Sequence, residues 1–144
     1  MTAVVVGVDG SPGSDLAVAF AAEEARLRDL PLRVVCAWEA PALEYAGAAF
    51  IPAEDLWNQA EQRAAEVVRT AVALASAEPG LAVEGLAVEG HAAKVLAERG
   101  RGAALLVVGS RGHSGFAGVV LGSVGDAPAH HPPCPLVIVP GDGA

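Results

Sequence analysis

Residues 104–123 read ALLVVGSRGHSGFAGVVLGS, an apolar run that stops at Gly109 and opens into a glycine-rich loop. An almost unbroken stretch of Leu and Val is what a strand covered on both faces requires. Gly109, Gly112, Gly122 and Ser123 are spaced as G-x2-G-x9-G-S. Glycines at such positions let main-chain N–H groups approach an anion closely, and Ser123 stands where a new helix should begin. Ser123 and Asp126 have the form of a capping box, so the serine can serve its own helix as well as a ligand.

The same grammar recurs on either side. Further strands are expected over 3–8, 32–38, 81–89 and Leu136–Val139, with 104–109 as the fourth in chain order. Between them run longer segments of helical period, so the chain reads βαβαβαβαβ and belongs to the α/β class with helices on both faces of an open five-stranded parallel sheet. Ser11 is placed to cap the first helix with Pro12 at its first position. Leu16, Phe20, Leu27 and Leu30 form the expected buried stripe of that helix. The second, over about 53–77, sets Leu56, Ala60, Ala64, Val67, Val68, Ala71, Leu74 and Ala75 on one face, and Pro79-Gly80 stops it. A short third helix over about 92–99 ends at Gly100 and Gly102. Glu84 and Gly85 mark the third strand as an edge with one wetter face. The connection 39–52 is longer than usual, which makes it functional or mobile.

Composition narrows the functions. The 144 residues are expected to form a single domain, 1–144, with 53% hydrophobic residues, although 31 are Ala and only 4% are aromatic. A net charge of -8 argues against nucleic acid or an anionic membrane as partner. Cys36 and Cys134 lack a metal or disulfide spacing, no stretch is long enough for a membrane span, and no basic leader precedes the first strand, so a cytoplasmic setting is expected. His130 and His131 are adjacent and have no third ligand at a helical spacing, which fits a helix end better than a metal. Cys134 is expected to pack at the start of the last strand.

With its glycine loop after the fourth strand, the chain resembles the universal stress protein family, in its single-domain, ATP-binding branch. The opening VVVGVDGSPGS, the segment VEGHAAKVL and the closing HHPPCPLVIVP support the likeness, which spans essentially the whole chain. The resemblance implies a Rossmann-like sheet of order 3-2-1-4-5, as in adenine nucleotide alpha hydrolases. It also implies a nucleotide site made by Val8, Asp9, Ser11, Ala37, Gly109, Arg111, Gly112, His113, Gly122, Ser123 and Val124. ATP with Mg²⁺ is the implied ligand, a homodimer through Leu136–Val139 the implied assembly, and an unidentified protein partner the implied client. The chain departs from the family pattern where Gly125 and Pro128 interrupt the segment after Ser123, since proline inside a helix costs about 3 kcal/mol.

The residues leave alternatives open at two of these positions. Asp9 suits a turn as well as a ribose or cation-bound water, and Ser11 suits a cap. No Walker loop, nucleophile elbow or G-x-G-x-x-G fingerprint is present, and the one lysine, Lys94, lies far along the chain in the third helix. A nucleotide-dependent regulatory module is therefore the expected function. A slow ATP hydrolase or phosphotransferase and a nucleotide-free dimerisation scaffold are the alternatives.

Overall fold

Runs of Val and Leu become the middle of a sheet because β-branched side chains pack well on a pleated surface buried from both sides. The computed structural model of the protein describes residues 2–40, 52–110 and 134–141. Its elements are β1 (Val4–Gly7), α1 (Pro12–Leu27), β2 (Leu32–Trp38), α2 (Ala53–Ala75), β3 (Val83–Glu89), α3 (Ala92–Arg99), β4 (Leu105–Gly109) and β5 (Leu136–Val139). The strands pair in parallel in the order β3-β2-β1-β4-β5, as the resemblance implies. The expected strand limits are each within two residues of those observed. Most of the long connection after β2, and the segment with Gly125 and Pro128, lie outside the described residues.

Every residue of β1 and β4 is buried. Val4, Val6, Leu32, Val34 and Cys36 face one core with α1 and α2. Val5, Val35, Leu106 and Val108 face a second core with Val95 and Leu96 of α3. Helices thus cover both faces, with α1 and α2 on one and α3 on the other.

The structure corrects the stripe expected of α1. Leu16, Phe20 and Leu27 are exposed, at 37%, 36% and 61%, whereas Ala17, Val18, Ala21, Ala22 and Ala25 are buried. Small side chains let the helix axis lie close to β1 and β4, and larger ones on that face would hold it away. Leu30, beyond the helix, packs at the core margin as expected. The α2 stripe is closer to expectation, with Ala64, Val68, Ala71 and Ala75 buried and Val67 at the margin. Leu74 departs from it and is 43% exposed.

β3 is an edge strand, and none of its residues is fully buried. Gly85 has a further role that its sequence context does not reveal. A Cβ there would stand 2.4 Å from Val68 Cγ1 and 2.8 Å from Val72 Cγ2, so the missing side chain is what lets α2 settle onto the edge of the sheet.

Candidate functional site

Chain order reverses between the two central strands: β1 continues outward to β2 and β3, while β4 lies on its other side and continues to β5. In open α/β sheets, ligands bind outside the carboxyl ends of the strands at such a switch point. The register sets Val6 opposite Val107, so the β1 exit through Val8 and the β4 exit at Gly109 leave the sheet side by side.

The β1 exit is a tightly bonded turn. The Ser11 N–H donates to Asp9 Oδ1 at 3.0 Å, and the Ser14 N–H donates to Ser11 Oγ at 3.2 Å. The Ser14 hydroxyl returns a bond to the Ser11 carbonyl at 3.0 Å. Ser11 is therefore the N-cap of α1, as expected, and Asp9 has the turn role that its sequence context allows. Between them Gly10 adopts φ +83, and a Cβ there would meet Val67 Cγ2 at 3.1 Å. Gly10 is a positioning residue that lies outside the glycine-loop motif. The Asp-Gly pair was its signal, because a residue with positive φ directly after an aspartate marks a turn.

Val8 is buried, and its N–H donates to the Val35 carbonyl at 2.9 Å, which ties β1 to β2 just before the turn. Ala37 is half-buried near the end of β2 and faces the α3 side of the sheet. Gly109 is buried at the end of β4 opposite Val139. Beyond it the Ser110 N–H donates to the Val139 carbonyl at 2.8 Å, and Ser110 Oγ accepts the Gly141 N–H at 3.2 Å. The β4 and β5 exits are thereby joined where the glycine loop begins. The structure thus brings Val8, Asp9, Ser11, Ala37 and Gly109 to one end of the sheet. Arg111, Gly112, His113, Gly122, Ser123 and Val124 lie outside the described residues, as do His130 and His131.

Cys36 also belongs to this end. Burial pushes its thiol up to about 11, and the neighbouring Asp9 carboxylate acts in the same direction. A thiol so held stays protonated at neutral pH and is a poor nucleophile. Next to it, Trp38 meets Trp57 of α2 edge-on, with ring centroids 4.9 Å apart, a pairing across the two ends of the long connection. A crevice of about 170 Å³ between α1 and α2 is lined by Val8, Gly10, Ser14, Glu66, Val67 and Thr70. It is smaller than the roughly 300–1,000 Å³ of ordinary small-molecule sites. Glu66 on its wall also disfavours a polyphosphate.

Among the described residues no group of three or more His, Cys, Asp or Glu could hold a metal ion, and no helix is long and apolar enough to cross a membrane. Cys36 and Cys134 are free, and Cys134 packs against the α3-side core beside Leu136, as expected.

Comparison with known proteins places this geometry. The chain matches the Universal stress protein family over residues 1–140. It belongs to that family. A universal stress protein of Mycobacterium tuberculosis is 34% identical over 137 residues, covering 94% of this chain and 44% of the relative. The chain therefore spans about half the length of the curated relatives it matches. A universal stress protein solved in complex with cAMP is 30% identical, with a TM-score of 0.68 and 96% of each chain covered. The universal stress protein of Archaeoglobus fulgidus, solved in complex with dAMP, shares the fold with a TM-score of 0.67 at 23% identity, over 96% of this chain and 98% of that one.

Proposed function

We propose that this universal stress protein binds an adenine nucleotide across the carboxyl ends of β1 and β4, and that binding regulates its contacts with other proteins. One observation carries the reading: the switch point is flanked by the bonded Asp9-Gly10-Ser11 turn and by Gly109-Ser110, where the glycine loop starts. The relative that is 30% identical and solved with cAMP supports an adenine nucleotide as the class of ligand. The spacing of Gly109, Gly112, Gly122 and Ser123 favours a phosphate chain, and hence ATP. Arg111 and His113 would add positive character, and Val124 directly follows Ser123 of the motif. Mg²⁺ suits this ligand because it takes hard oxygen donors and few protein contacts. Asp9 is the carboxylate at the exit of β1, and one of its oxygens is already engaged by Ser11.

The finer reading includes a cytoplasmic homodimer. β5 is an edge strand of four half-buried apolar residues, Leu136–Val139, while the opposite edge at β3 carries Glu84 and Glu89. Charges on an edge discourage strand pairing, and an apolar edge invites it.

Calorimetric titration with ATP, ADP, AMP and cyclic AMP, with and without Mg²⁺, tests the proposal. Saturable binding by the parent and at least tenfold weaker binding by Gly122→Val are expected, because a side chain there blocks close approach of the backbone. Absence of heat with all four nucleotides would leave the scaffold reading in its place. Sustained phosphate release under multiple turnover, reduced in Asp9→Ala, would instead favour the hydrolase.

A further inference from the structure

Basic side chains are scarce in this chain, with nine Lys+Arg against 17 Asp+Glu. Among the described residues four arginines are paired: Arg26 with Glu78, Arg28 with Glu24, Arg33 with Glu84 and Arg69 with Glu66. Arg99 and Arg101 have no ion pair among the described residues. Both line a single small pocket of about 60 Å³ together with Arg33, Ala3, Val5 and Gly102. The pocket lies at the amino ends of the strands, the opposite end of the sheet from the candidate nucleotide site.

Topology explains the convergence. Val5 of β1 stands opposite Arg33 of β2, and Arg33 stands opposite Glu84 of β3, so one row across the sheet sets Arg33 beside the pocket. α3 ends at Arg99, and a turn through Gly102 at φ +76 returns the chain to the sheet. There the Ala104 N–H donates to the Ala3 carbonyl at 2.9 Å. Arg99 and Arg101 are thus fixed at the pocket by the turn that starts β4.

Charge and size together select the ligand. Three guanidinium groups carry +3, Glu84 removes one, and the carboxyl end of α3 contributes roughly half a negative charge nearby. What remains matches the roughly -1.5 to -2 of a phosphoryl group at neutral pH, whose three terminal oxygens suit the planar guanidinium fork. A carboxylate would duplicate what Glu84 already does for Arg33. At about 60 Å³ the pocket is far smaller than the roughly 300–1,000 Å³ of ordinary small-molecule sites, which suits one compact anion better than a nucleoside. We propose that the Arg33–Arg99–Arg101 pocket is a second anion site on this protein, one that takes a single phosphoryl group, either as inorganic phosphate or on a phosphorylated side chain.

The test is an amide-resolved NMR titration of the ¹⁵N-labelled full chain with inorganic phosphate, at neutral pH and constant ionic strength set with chloride. Saturable shifts at Arg101, Gly102 and Ala103 are expected. They should weaken about tenfold or more in Arg99→Gln/Arg101→Gln, whose exposed positions leave the fold intact, and tighten in Glu84→Gln, which frees Arg33. Arg63→Gln/Arg69→Gln, the same change of charge at exposed positions of α2 outside the pocket, should leave the shifts unaltered, which separates a site from general charge effects. Shifts that rise linearly, that persist in the double variant, or that occur only at Gly10 and Ser11 would overturn the proposal, the last by placing phosphate at the nucleotide end alone. A parallel titration with N-acetyl-phosphoserine amide distinguishes the sources: tighter binding than phosphate points to a modified protein, equal binding to the free anion. No response to either probe would also overturn it.

Discussion

β4 and β3 lie in one parallel sheet, yet they meet solvent in opposite ways. All five residues of β4 are buried, whereas β3 has none fully buried and places Glu84 and Glu89 in water. β4 is flanked by β1 and β5, packs against α1 on one face and shares the second core on the other, so any polar side chain there would lose its water without a partner. β3 has a single neighbour and can offer charge to Arg33 and an absent side chain to α2. Strand position in a sheet, more than strand propensity, decides which residues are tolerated.

Truncation sharpens that contrast most. Leu106→Ala in β4 is expected to cost about 2–5 kcal/mol, by lost transfer energy plus an unfilled cavity, while Leu86→Ala in β3 should cost about 1–2 kcal/mol because its side chain is only partly buried. Urea unfolding of both variants checks this, and equal losses would break the comparison.

Dryness of the core beside β1 has a pH signature as well. The Cys36 thiol is raised in the folded state from an ordinary value of 9.0 to about 11, so its contribution to stability is complete below pH 9 and is lost as pH rises toward 11. The folded protein holds the proton more tightly than the unfolded chain in that window, and stability falls by about 2–3 kcal/mol across it. Cys36→Ala should remove that part of the alkaline decline, as read by thermal unfolding of both proteins across this range.

A further effect falls at the edge. Gly85→Ala introduces a Cβ into the side chains of Val68 and Val72, and should destabilise by about 1–3 kcal/mol despite its position on an exposed strand. Val68→Ala in the same chain should recover part of the loss. Additive costs for the two changes would mean that α2 does not rest on Gly85.

Much of this was legible in the residues. Continuous Val and Leu runs located β1 and β4, Ser11-Pro12 located the start of α1, and Asp9 and Gly109 were found at strand exits because open sheets bind ligands there. The buried face of α1 is not legible this way, since Leu16 and Phe20 outweigh alanines on any hydrophobic count, yet close packing of a helix on a sheet selects small side chains. Gly10 and Gly85 were missed as positioning residues for a related reason: what each accommodates, Val67 or Val68, lies far away in the sequence.

By itself, the sequence determined which segments are strands and helices and where the chain turns, because hydrophobic period and capping chemistry act over a few neighbouring residues. Only tertiary structure decided which helix face is buried, that the Asp9 carboxylate is near enough to act on Cys36, and that Arg33, Arg99 and Arg101 share one pocket. Those outcomes depend on how distant segments approach one another across the sheet, and the pairing order that sets those distances is a property of the whole chain.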